Sequence, residues 1–92
     1  MARVVVTLRI MPQSPETDLS ALEAAAKKEI VDFCNSEEFK VEIQPIAFGL
    51  KALIILFVME EGIGSTEKLE QQVSRLEGVE SVEVTDVRRA IG

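Results

Sequence analysis

The sequence predicts an α+β domain, a four-stranded antiparallel sheet covered on one face by two helices. Three observations lead there. Apolar residues alternate with polar ones in short stretches rich in β-branched side chains. In two other stretches they recur at helical spacing. These stretches follow one another in the order β-α-β-β-α-β, without a long linker.

Arg3 to Met11 alternates and carries the run Val4-Val5-Val6, so it reads as a strand that Pro12 ends. Gln13 to Thr17 is a turn, with Pro12 and Pro15 on either side of Ser14. From Asp18 the spacing becomes helical, with Leu19, Leu22, Ala26, Ile30 and Phe33 on one face. Asp18 or Thr17 caps the open amides at its start, and Asn35 and Ser36 mark its end. Phe39 to Ile46 alternates again, with Phe39, Val41 and Ile43 inward and Lys40, Glu42 and Gln44 outward. Leu50 to Met59 is nearly all apolar, as in a strand that is covered or central in its sheet. Gly62, Gly64 and Ser65 form a flexible break. A second helix runs from Thr66 to Glu77 with Leu69, Val73 and Leu76 as its stripe, and Gly78 suits the left-handed position that closes it. Val79 to Val87 is the last strand, alternating Val82 and Val84 with Glu83 and Thr85.

This element order is the split unit of ferredoxin-like folds. Right-handed crossovers put both helices on one face and give the expected strand order 4-1-3-2. The first and third strands are then central, in agreement with their apolar character. The bend between the second and third strands lies at one end of the sheet, and the last strand finishes at the other. A strand of about eight residues spans roughly 26 Å. Phe48 and the pair Arg88-Arg89 therefore belong to opposite poles.

Composition narrows the function. The 92 residues, 47% apolar, are read as one globular domain spanning 1–92. The chain opens on its first strand, so no cleavable signal is expected, and the apolar run Ala52 to Met59 is too short to cross a bilayer. One cysteine excludes an internal disulfide and points to a reducing, cytoplasmic compartment. The absence of histidine removes the commonest general base and leaves a poor ligand set for zinc. A net charge of −6, with no Tyr or Trp, opposes nucleic-acid binding. An acidic, histidine-free domain reads as a binder, with no catalytic, metal or cofactor residues assigned.

Two segments are candidate sites. Pro45-Ile-Ala-Phe-Gly-Leu-Lys-Ala-Leu53 places an aromatic at a bend, where small or polar residues are usual. Phe48 is either a core aromatic folded over the end of the sandwich or an exposed anchor for a partner's pocket, with Gly49 allowing the tight turn. The tail Thr85-Asp86-Val87-Arg88-Arg89 holds two of the ten cations. It is either a solvated end paired with nearby carboxylates or an arginine fork for a partner's phosphate or carboxylate. Cys34 reads as a small hydrophobe at a helix end. Glu60-Glu61 beside Gly62-Ile63-Gly64 offers too few ligands for a divalent metal, and Gly62-x-Gly64 lacks the third glycine of a dinucleotide motif.

The segment Pro45–Leu53, the run Val84-Thr-Asp-Val-Arg-Arg89, and the opening Val5-Val-Thr-Leu-Arg-Ile-Met-Pro12 with Ser14-Pro15 together resemble the elongation factor 1-beta family in its short archaeal form. The resemblance covers essentially the whole chain. It implies a ferredoxin-like domain that exchanges guanine nucleotide on elongation factor 1-alpha, the GTPase that delivers aminoacyl-tRNA. It also implies that one pole wedges into the GTPase's switch and Mg²⁺ region while the other grips its second domain. Phe48, flanked by Ala47 and Gly49, matches the family's bend aromatic and falls to that second domain. In eukaryotic relatives the domain ends a longer chain; here the exchange module is expected to stand alone. Those relatives also carry a lysine near the C-terminus, whose position falls at about Gly92, and this sequence has no lysine after Lys68. Arg88 or Arg89 is a candidate to supply that charge, as a hypothesis and not as a site carried over from the family. A different reading is a ferredoxin-like small-molecule-sensing regulatory domain that pairs through its sheet. A ferredoxin-like acylphosphatase would need an arginine-bearing phosphate loop that Met11-Pro12-Gln13-Ser14 does not provide.

Overall fold

The computed structural model describes residues 2–89. Its elements are β1 (Arg3–Pro12), α1 (Leu19–Cys34), β2 (Phe39–Pro45), β3 (Lys51–Glu60), α2 (Glu67–Ser74) and β4 (Val79–Arg89), with a 3₁₀ turn at Glu61–Ile63. The four strands form one antiparallel sheet in the order β2-β3-β1-β4, the expected order read from its other edge.

Alternation on the central strands builds the core. Val4, Val6, Leu8 and Ile10 of β1 and Leu53, Ile55, Phe57 and Met59 of β3 all point to one face and are buried. Against that face α1 packs Leu22, Ala26 and Ile30, and α2 packs Leu69 and Val73. Each such side chain contributes about 1.5–3 kcal/mol by leaving water, so this interleaved set holds the helices onto the sheet. Leu19, Phe33 and Leu76, expected in the helical stripes, are partly buried at the margins of the core.

Capping explains where α1 begins and ends. The Asp18 side chain accepts hydrogen bonds from the Ser20 and Ala21 amides, at 3.0 and 3.2 Å. Asn35 takes the left-handed conformation, φ 57°, and returns its N–H to the Val31 carbonyl. The second helix is shorter than expected. It stops at Ser74, and Leu76 and Val79 continue as turns that bond the Val73 and Leu76 carbonyls. Gly78, φ 91°, therefore serves the entry into β4 and not the helix end; a Cβ there would meet Thr17 Cγ2 at 3.1 Å.

Two strand expectations change. Ile43 keeps the alternation of β2 but is 46% exposed, because β2 is an edge strand, while Leu53 opposite it on β3 is fully buried. β4 runs two residues further than expected, to Arg89, and its pairing with β1 slips twice, once at Glu80 and once at Thr85. Leu8 pairs with Val84 while Thr7 pairs with Asp86, so Thr85 is the extra residue. A one-residue insertion exchanges the faces of everything beyond it. Val87 thus joins the helix side opposite Val6, and Asp86 and Arg88 move to the open face.

Candidate functional site

The bend between β2 and β3 is built by short-range hydrogen bonds. The Ile46 N–H donates to the Leu50 carbonyl and the Leu50 N–H to the Ala47 carbonyl, both at 2.9 Å. Closing the turn this tightly forces positive φ on both central residues, 55° at Phe48 and 80° at Gly49, as in a type I′ turn. Glycine accepts that backbone freely. A bulky L-residue does so at a cost of about 1–2 kcal/mol, because its Cβ crowds the following carbonyl.

Phe48 recovers none of that cost at home. It is 97% exposed, so the core reading of this aromatic fails. Ile43 and Ile46 are exposed beside it in sequence, and with Phe48 they supply three of the six exposed large apolar side chains among the described residues. The strain at Phe48 is therefore not offset by packing within the domain.

The arginine tail lies at the other end of the sheet. Arg89 pairs in register with Val4, and Val4 with Met59, eight residues along β3 from Lys51 at the bend. At ~3.4 Å per residue that separation is about 27 Å. Both arginines are already partnered. Arg88 Nε lies 2.7 Å from Asp86 Oδ2, a contact between residues two apart in the strand and therefore on one face, which the Thr85 bulge makes the open one. Arg89 grips Glu61 with two bonds, Nε to Oε2 at 3.2 Å and Nη2 to Oε1 at 3.1 Å. Glu61 also donates its backbone N–H to the Ala2 carbonyl at 3.0 Å, so one turn fastens the start of β1 and the end of β4.

The electrostatics follow from that fork. The hydrogen bonds and charge of Arg89 hold the Glu61 carboxyl below its usual range, and the same fork raises the Arg89 guanidinium. At Cys34, burial pushes the thiol up, partly opposed by a backbone hydrogen bond from Ser36. Its Sγ donates to the Ile30 carbonyl at 3.4 Å, so it behaves as a packed helix-end side chain. No group of three or more His, Cys, Asp or Glu side chains is placed to hold a metal ion among the described residues. Nor, among them, is any helix long and apolar enough to cross a membrane.

Of the sequence-derived site residues, Ala47, Phe48 and Gly49 form one pole and Arg88 and Arg89 the other; they are not brought together. The Gly92 position lies outside the described residues. Glu61 was missed as the partner of Arg89. The two stand 28 residues apart, and no local pattern links them.

A ferredoxin-like sheet with a strained aromatic at one pole and paired arginines at the other suits a class of protein that works by contact. The family comparison makes the class specific. The model of the EF-1 guanine nucleotide exchange domain matches residues 5–90, and the chain belongs to that family. Its relatives named elongation factor 1-beta are archaeal. That of Methanobrevibacter smithii is 48% identical, covering 97% of this chain and 98% of its own. Those of Methanothermobacter thermautotrophicus and Staphylothermus marinus are 44% and 41% identical, at the same coverage. Among solved structures, the de novo designed protein Foldit4 superposes with a TM-score of 0.62 at 23% identity, covering 98% of both chains. The BlrP1 BLUF structure does so with a TM-score of 0.56 at 16% identity, covering all of this chain and 57% of that one. These two likenesses speak to the fold alone.

Proposed function

We propose that this chain is a single exchange domain, 1–92, that promotes GDP release from a cytoplasmic elongation factor 1-alpha by binding, without covalent chemistry. The observation that carries the reading is Phe48, fully exposed and held in a strained turn, in a chain that belongs to an exchange-domain family. Phe48, with Ala47 and Gly49, enters an apolar pocket of the GTPase's second domain. The arginine pole, about 27 Å away, reaches the nucleotide domain and unsettles the Mg²⁺ and phosphate site.

The energetics require only linkage. A factor that prefers the nucleotide-free GTPase weakens nucleotide binding by the same factor that nucleotide weakens its own. Contacts at the second domain are insensitive to nucleotide and supply affinity. Contacts at the nucleotide domain differ between the two states and supply the coupling. Because Asp86 and Glu61 already neutralise Arg88 and Arg89, any partner anion must compete for them.

The test is release of a fluorescent GDP analogue from the cognate elongation factor 1-alpha, with and without this protein. Acceleration at micromolar concentrations is expected. Its absence sinks the reading. Substituting Arg88 and Arg89 together with alanine tests the cationic part separately: unchanged stimulated release removes the arginines from the mechanism while leaving the Phe48 contact standing.

A further inference from the structure

The segment Gln13–Thr17 lies beneath the Phe48 bend, and its Ser14-Pro15 pair has no role so far. A methyl group placed on Gly49 would sit 3.5 Å from Pro15 Cβ and 3.8 Å from its Cγ, so the proline ring stands close behind the bend, with room for about one methyl group between them. The segment is itself tied down at several points. The Gln13 N–H donates to the Gly78 carbonyl at 2.9 Å and Gln13 Nε2 to the Val79 carbonyl at 3.4 Å, which anchors it to the start of β4. Within the segment, the Thr17 N–H bonds the Ser14 carbonyl at 3.2 Å and the Ser14 N–H bonds Thr17 Oγ1 at 3.3 Å. The Glu16 N–H adds a bond to Ser14 Oγ at 3.2 Å. Thr17 also packs toward Gly78.

A strained turn persists only where its surroundings over-determine it. The turn's own two hydrogen bonds hold Ala47–Leu50 closed and the ladder pairs Pro45 with Lys51, but neither sets the tip's direction relative to the rest of the domain. We propose that the Gln13–Thr17 loop is a brace that fixes the tip's direction, and that Pro15 is the positioning residue through which it acts on Phe48. Proline suits the role: its ring has one fixed φ and no backbone donor to satisfy, so the brace is rigid without further partners. Presenting an anchor in its bound orientation lowers the ordering cost of association. The inference rests on the reading of Phe48 as a partner contact.

The experiment titrates the factor in the fluorescent-GDP release assay, comparing Pro15→Gly, Pro15→Ala, Phe48→Ala and the double variant Pro15→Gly/Phe48→Ala. Removing the ring and its Cβ in Pro15→Gly raises the half-saturating concentration about 3- to 10-fold, the scale of ordering one side chain. The maximal release rate stays unchanged. Pro15→Ala keeps the Cβ that faces Gly49 and recovers most of the loss. With Phe48→Ala already present, Pro15→Gly adds nothing further, because the positioned group is gone. Phe48→Ala without effect on half-saturation overturns the underlying reading. Phe48→Ala weakening the factor while Pro15→Gly does not, or the two effects adding in full, overturns the brace alone. A Pro15→Gly loss confined to melting temperature, with exchange intact, also overturns it.

Discussion

Replacing Phe48 with glycine should stabilise the domain while crippling its contact with the partner. At φ 55° the left-handed backbone costs a bulky residue about 1–2 kcal/mol, which glycine does not incur. Glycine in turn loses about 0.5–1 kcal/mol more chain entropy on folding. The side chain is 97% exposed, so removing it leaves no cavity and breaks little packing. The balance favours the variant by roughly 0.5 kcal/mol, and a domain of this size shifts its Tm by about 4–8 °C per kcal/mol. Thermal unfolding should therefore show a rise of roughly 2–4 °C. In the exchange assay the same variant loses an anchor whose full burial is worth about 1.5–3 kcal/mol, which is about 10- to 150-fold in half-saturating concentration. A Tm that falls by several degrees would mean the ring packs at home and the strain argument is wrong. Unchanged half-saturation would mean that no partner uses it.

Two further outcomes concern the ends of the fold. Asp18→Ala removes the acceptor for two open amides of α1 and should cost about 1 kcal/mol, seen as a Tm lower by several degrees; an unchanged Tm would show the cap to be idle. An NMR titration should find the Glu61 carboxyl midpoint below the ordinary glutamate value, and Arg89→Gln should return it there. Because the folded value is depressed, the pair's contribution is present above the unfolded value and disappears as pH falls through the folded one. A Glu61 midpoint indifferent to Arg89→Gln would show that the fork does not persist in solution.

Much of the fold was legible because periodicity is local. The alternation of Val4, Val6, Leu8 and Ile10 and the spacing of Leu22, Ala26 and Ile30 each depend on one segment's geometry, and all seven are buried. The cap residues Asp18 and Asn35 were legible for the same reason. Element boundaries in the second half were less so: Leu76 carries the helical spacing, but the chain there is already turning toward Gly78. Ile43 alternates correctly and is still exposed, since coverage depends on a strand's place in the sheet and β2 lies at its edge.

The candidate site divides along the same line. By itself the sequence determined the strand order, the family resemblance, and hence that the Phe48 bend and the arginines stand at opposite poles. Those follow from segment types and from the handedness of crossovers. Only the tertiary structure decided that Phe48 faces water in a strained turn, that Pro15 stands close behind the bend, and that Thr85 bulges to turn Asp86 and Arg88 to the open face. It also decided that Glu61 clasps Arg89. Apart from the turn's own short-range hydrogen bonds, these depend on where segments distant in sequence meet in space, and no periodicity within one segment encodes that meeting.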